Sequence, residues 1–223
     1  MTKIAVLQSN YIPWRGYFDI ISKVDHFVIY DEVQYTKNDW RNRNQIKTQN
    51  GLVWLTIPVK QTNLNQKICE TEVVNQIWRR KHMNSIRLNY SKAPFYNDYI
   101  DSIAYLYEGN ETLLSEINLK FIRGFCEILN INTNIIDSKD LKLKGDKNER
   151  LVDACQKLNA TSYLSGKAAQ KYLNNDMFSQ QNIEVQWMDY CHLSEYKQLY
   201  PPFNMGVSII DTLLNIGNKN IFS

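Results

Sequence analysis

Three stretches of the chain concentrate side chains able to hold an anion and a ring together. The first, "LQSNYIPWRGYFDII" from Leu7 to Ile21, sets Gln8, Ser9 and Asn10 beside Trp14, Gly16 and Tyr17. Amides and a hydroxyl donate and accept hydrogen bonds, an indole offers a flat face, and a glycine lets another group approach closely. The second, "YDEVQYTKNDWRNRN" with Lys47 just beyond, gathers Lys37, Arg41 and Arg43 around Trp40, interleaved with Asn38, Asn42 and Asn44. Guanidinium forks match phosphate oxygens, and uncharged amides suit sugar hydroxyls. The third, "YLSGKAAQKYL", combines the Ser165 hydroxyl, the flexible Gly166 and the Lys167 cation, an arrangement that resembles an anion cradle without the spacing of a P-loop. Each stretch also has a plainer reading: a hydrophobic staple, a solvated basic loop and a strand-to-helix turn.

Two titratable groups are candidates for moving a proton. Asp31 and Glu32 leave a strand side by side and so face opposite ways, which sets one of them, Asp31, toward a crevice at the strand's end. His82 shares a helical stripe with Trp78, Ile86 and Tyr90 and faces inward. An imidazole with an ordinary pKa near 6.5 makes a good general base, although a histidine on an apolar stripe is more often a hydrogen-bonded core residue. The chain carries no H-E-x-x-H, no metal-ligand cluster, no G-x-S-x-G and no G-x-G-x-x-G, which disfavours a zinc enzyme, a serine hydrolase and a dinucleotide oxidoreductase.

The elements that must position these groups alternate. Apolar runs at Lys3–Gln8 and Phe27–Val33 read as buried strands flanking an amphipathic helix over Gly16–Val24, a βαβ unit. A polar loop ends at Asn50-Gly51, "LVWLTIPV" reads as a strand closed by Pro58, and residues 60–71 read as irregular. Helical periodicity then runs from 75 to about 130 in three segments interrupted at Pro94. Beyond it, strands at "NTNIID", "TSYLSG" and "IEVQWM" alternate with a helix capped by Asp146, a short helix at "KAAQKYL", and a last helix between Ser208 and Gly217. The expected architecture is a single α/β domain over 1–223, with a mainly parallel, Rossmann-like sheet and a helical insertion at about 75–130. Ligands in such a sheet sit outside the carboxyl ends of the strands, where the first stretch lies.

Composition narrows the function classes. With 43% hydrophobic and 22% charged residues the chain can bury a core, and disorder is disfavoured. A net charge of +3 permits an anionic ligand without demanding a nucleic acid. No apolar run reaches the length of a membrane span. The four cysteines are widely spaced and no cleavable signal precedes the first strand, so the expectation is a cytoplasmic protein with reduced thiols.

Taken in order, "LQSNYIPWRGYFD", "DEVQYTKNDWRNRNQIKT", "WLTIPV", "WRRKH", "LSGKAAQKYL" and "SIIDTLLNIG" resemble the WbqC-like family of bacterial proteins across nearly the whole chain. One departure is Ser9, where the family commonly has proline after the glutamine. The resemblance implies a place in surface-polysaccharide synthesis such as that of O-antigen, and a glycyl or other aminoacyl transfer. The opening also resembles that of nucleotidylyl transferases and pantothenate synthetases, except that Tyr17 stands where those enzymes carry a histidine of H-x-G-H. That likeness implies their nucleotide-binding architecture while disfavouring nucleotidyl transfer.

The combined expectation is an acyl- or aminoacyltransferase acting on the amine of a nucleotide-linked amino sugar, with aminoacyl-tRNA or an ATP-derived adenylate as donor. Arg41 and Arg43 would meet the diphosphate, Trp14 or Trp40 would stack on a ring, Gln8 and Asn10 would fix hydroxyls, and His82 or Asp31 would take the ammonium proton. The alternatives are an ATP-dependent ligase or nucleotidyltransferase of the same pathway, and a non-catalytic partner that binds the sugar nucleotide.

Overall fold

The computed structural model describes residues 1–219, 221 and 222. Five strands, β1 (Lys3–Leu7), β2 (His26–Ile29), β5 (Asn134–Asp137), β6 (Ser162–Gly166) and β7 (Glu184–Met188), form one all-parallel sheet in the order β5-β2-β1-β6-β7. The remaining strands, β3 (Arg43–Thr48) and β4 (Gly51–Thr56), make a separate antiparallel hairpin. The helices are α1 (Arg15–Ser22), α2 (Ile77–Tyr90), α3 (Tyr96–Leu106), α4 (Leu114–Ile128), α5 (Ser138–Leu141), α6 (Lys147–Lys157), α7 (Asn175–Ser179) and α8 (Ile209–Ile216).

The sheet is covered on both faces, and the strand sequences show why. Along β1, Ala5 joins the core under α1, α4 and α8, while Ile4 and Val6 join a second core with Val152, Cys155 and Phe178. In β2, Phe27 and Ile29 face the first core and Val28 the second; in β6, Leu164 and Tyr163 divide the same way. Side chains alternate faces along a strand, so a continuous apolar run such as Ile4-Ala5-Val6 is stable only between two layers. Counted among the sheet strands alone, the order is third-second-first-fourth-fifth, the doubly wound arrangement, and the chain reverses direction across the sheet between β1 and β6.

The expected helical insertion is α2–α4. Trp78, His82, Ile86 and Tyr90 are all buried along one face of α2, and Leu114, Ile117, Phe121 and Phe125 are buried on α4. Asp146 caps α6 by accepting from Asn148 and Glu149 N–H groups, in a capping box with Glu149. Ser208 caps α8 through the Ile210 N–H, and Gly217 ends it at a φ of +71°, open to glycine at no steric cost.

Five elements differ from the sequence reading. β2 stops at Ile29 rather than Val33, because the chain turns out of the sheet where the Asp31 carboxylate takes up the Ser9 N–H. Part of the expected polar loop is β3, whose inward positions Asn44, Ile46 and Thr48 include two polar residues and so carry no apolar alternation. "KAAQKYL" contains a 3₁₀ turn over Lys167–Lys171, and the short helices α5 and α7 lie in stretches read as connections.

Candidate functional site

The carboxyl end of β1 is tied to the 38–44 loop by a guanidinium. Arg41 donates from Nη2 to Gln8 Oε1 at 2.9 Å and from Nη1 to Asn10 Oδ1, and it lies 3.8 Å from the Asp39 carboxylate. Two of its five N–H donors are thereby engaged in hydrogen bonds, and the side chain keeps 18% exposure. The Tyr17 hydroxyl donates to the Gln8 carbonyl at 2.9 Å; burial first, and the nearby Asp31 charge second, push its pKa well up, so it stays a phenol.

Between Gln8 and Asn10, Ser9 is wholly buried and held from two sides. Its N–H donates to Asp31 Oδ1 at 2.8 Å, and its hydroxyl accepts from Asn118 Nδ2 at 3.0 Å. Asn118 also donates to the Arg41 carbonyl at 2.8 Å, so one amide from α4 joins β1 to the arginine's backbone. Asp31 is 3% exposed, and its Oδ2 has no hydrogen-bond partner among the described residues. Burial raises its pKa, opposed by the hydrogen bonds from Ser9 and the charge of Arg41.

The chain then makes a tight turn. Ile12 is held at a φ of +37°, a costly conformation for a β-branched residue. Its neighbours hold it there: Tyr11 N–H donates to the Trp40 carbonyl at 2.9 Å, Asn44 Nδ2 donates to the Tyr11 and Ile12 carbonyls at 3.2 and 2.9 Å, and Ile209 N–H donates to the Pro13 carbonyl at 2.8 Å. This turn carries Pro13 and Trp14 into the wall of a cavity of about 340 Å³, lined also by Asn10, Trp40, Asn44, Met205 and Gly206. The Trp14 ring lies 5.0 Å from that of Tyr190 and folds back over Gly16, where a Cβ would come within 2.3 Å of it. Gly16 therefore makes room for the chain's own indole. No side chain caps the N-terminus of α1, which begins just past Trp14.

The expected residues thus separate. Asn10, Trp14 and Trp40 line the cavity; Arg41 is bonded to Asn10 and Gln8, Tyr17 to Gln8, and Gly16 lies against the Trp14 ring, these four being off the wall. Arg43 turns away: it stacks 4.2 Å from the centroid of Trp54, which in turn packs 5.4 Å from Trp40, and it donates to the Asn38 carbonyl. Lys37 is exposed on the same loop. Ser165 is buried at the end of β6, and Lys167 pairs with Asp189 at 3.0 Å on the surface, neither being on the cavity wall. Hydrogen bonds from Cys191 first, and the pairing with Lys167 second, hold the Asp189 carboxyl down to about 2.

His82 is 6% exposed among aromatic rings, with Nδ1 2.9 Å from the Tyr11 hydroxyl, which also meets Tyr107 at 2.8 Å. Burial lowers its pKa to about 4, so the ring is neutral at pH 7. Its surroundings are those of a hydrogen-bonded core histidine. Among the described residues no group of three His, Cys, Asp or Glu side chains is placed to hold a metal, and no helix is long and apolar enough to cross a membrane.

Three contributors escaped the sequence reading. Asn118 left a signal, a lone amide on the apolar face of α4 between Ile117 and Phe121. Met205 and Gly206 left none. They arrive on an irregular segment after β7, pinned by Arg15 to the Ser194 carbonyl, by His192 to Asp19 at 2.9 Å, and by Asp211 to Tyr196 and Gln198 at 2.8 and 2.9 Å.

A doubly wound parallel sheet with a largely apolar, ring-walled cavity beyond its first strand defines an α/β protein with a candidate ligand site at the strands' carboxyl ends. The chain belongs to the WbqC-like protein family, whose model matches residues 8–222. It is similar to an uncharacterized Mycobacterium tuberculosis (strain ATCC 25618 / H37Rv) protein, Rv1507c, with 45% identity over 219 residues covering 97% of this chain and 95% of the relative. No solved structure matches the chain.

Proposed function

We propose that the chain transfers an acyl or aminoacyl group, glycyl among them, to the amine of a nucleotide-linked amino sugar in surface-polysaccharide synthesis. The observation that carries this reading is Arg41, a half-engaged guanidinium fixed by Gln8 and Asn10 at the edge of a cavity walled by Trp14 and Trp40. A rigid fork with free donors suits a diphosphate, and the indoles suit a ring.

In the reaction, the sugar ammonium loses a proton, and its nitrogen attacks the carbonyl carbon of an aminoacyl-tRNA ester or an acyl adenylate. The C–N amide bond forms and the donor's C–O bond breaks. The amine's second proton leaves with collapse of the adduct, and the departing oxygen is protonated as the tRNA ribose hydroxyl or leaves on the phosphate of AMP. The first proton is left to solvent: Asp31 has an Oδ2 without a partner among the described residues but is buried off the cavity wall, and His82 is enclosed among aromatic rings. The test is incubation with nucleotide amino sugars and either glycyl-tRNA or ATP with glycine, read by mass spectrometry. A product heavier by one glycyl residue is expected, and its absence with every donor counts against transfer.

One observation favours a second reading. The residues lining the cavity are two tryptophans, two asparagines, a proline, a methionine and a glycine, and none of them titrates. A wall of that composition suits a binding partner that presents a sugar nucleotide to another enzyme. Tight binding with no turnover under any donor distinguishes it.

A further inference from the structure

The cavity offers a ligand very few polar contacts. Pro13, Trp14, Trp40, Met205 and Gly206 bring no side-chain hydrogen-bonding group beyond the indole N–H. Asn44 lines the wall but is 2% exposed, and its amide is already committed: Nδ2 to the Tyr11 and Ile12 carbonyls, Oδ1 to the Gln45 N–H at 2.7 Å. Asn10 has its Oδ1 taken by Arg41, which leaves its NH₂. Arg41 itself stands behind Asn10, at one side of the cavity.

A hexosamine placed here would bury several hydroxyls, each a donor and an acceptor, against rings and a thioether. Each group left without a partner loses its hydration with nothing in return. A nucleobase makes the opposite demand: it buries two flat faces and presents only a few polar edge atoms. Resting on the sugar-nucleotide reading above, we infer that the cavity holds the nucleobase, that the diphosphate crosses to Arg41, and that the amino sugar extends outside the cavity. Met205, a flexible thioether on the pinned segment, packs against the base. Met205 is 36% exposed. At about 340 Å³ the cavity lies at the small end of ligand pockets, which suits a nucleoside better than a whole sugar nucleotide.

The pose makes the nucleotide, not the sugar, the source of affinity. The experiment is calorimetric titration of the full chain with UDP-, dTDP-, GDP- and CDP-linked amino sugars, then with the free nucleotide of whichever binds, and with glucosamine 1-phosphate. The expected result is that the free nucleotide binds within about threefold of the intact ligand, while glucosamine 1-phosphate binds at least a hundredfold more weakly. Trp40→Ala should weaken the free nucleotide at least tenfold through lost stacking. Tyr105→Ala, whose ring is exposed on α3 and off the cavity wall, should weaken it less than threefold. Strong binding of glucosamine 1-phosphate with none by the nucleotide overturns this pose and leaves the proposed function standing. Equal losses in Trp40→Ala and Tyr105→Ala also overturn it. Silence with every ligand overturns the pose and the sugar-nucleotide reading together.

Discussion

Arg41 and Gln8 lie 33 residues apart and meet through a 2.9 Å hydrogen bond, which fixes the loop after β2 against the end of β1. Asn10 completes the clamp from the other guanidinium nitrogen. The geometry needs a planar fork, because one cation must satisfy two amide oxygens whose residues leave the strand on either side of Ser9.

Gly16→Ala tests the packing of Trp14. The new Cβ would lie 2.3 Å from the indole, so the ring must swing out of the cavity wall. We expect a loss of about 1–3 kcal/mol in stability, from overpacking, and a shift in tryptophan emission. Unchanged emission and melting temperature would show that the ring accommodates the methyl where it stands.

Asn118→Leu tests the tie between α4 and the clamp. The substitution leaves the Ser9 hydroxyl and the Arg41 carbonyl without the Asn118 donor inside the protein. Urea unfolding should show a destabilisation of about 2–4 kcal/mol, from two broken hydrogen bonds in a buried setting. A change below 0.5 kcal/mol, on the scale of a neutral surface substitution, would mean these bonds contribute little.

His82 gives the fold a pH dependence. Its pKa is lowered from 6.5 to about 4 in the folded chain, so the unfolded chain binds more protons between those values. Its contribution is fully present above pH 6.5 and is lost as pH falls toward 4, a total of about 3 kcal/mol. The buried carboxyls Asp31 and Asp211, whose pKa values are raised, contribute in the opposite sense. The measurement is therefore a difference: wild type minus His82→Asn, by urea unfolding from pH 7 to pH 4. The stability advantage of the wild type should shrink across that window, and a constant difference would contradict the assignment.

Much of this was legible because local and global demands agree. Ile4-Ala5-Val6 and Phe27-Val28-Ile29 needed two covering layers, and Asp146 and Ser208 announced their helices by capping chemistry. The first turn was legible as more than a connection because its aromatics exceed what a connection requires, and Trp14 does line a cavity. What was hidden depends on distant partners. β3 could not be read from Asn44, whose inward amide serves the backbone of Tyr11 and Ile12 rather than an apolar core. Nothing near Arg43 in the sequence shows that Trp54 will take its guanidinium away from the cavity. Met205 and Gly206 reach the site only because Arg15, Asp19 and Asp211 pin the segment that carries them.

The most direct test of the account is titration of nucleotide-linked amino sugars into wild type, Arg41→Lys and Arg41→Ala. Lysine keeps the charge but cannot bridge Gln8 and Asn10 while facing a diphosphate. The account predicts that one ligand binds the wild type, at least tenfold more weakly to Arg41→Lys and more weakly still to Arg41→Ala, with all three proteins folded by circular dichroism. Equal affinity for the three proteins would remove Arg41 from the site and contradict the central claim.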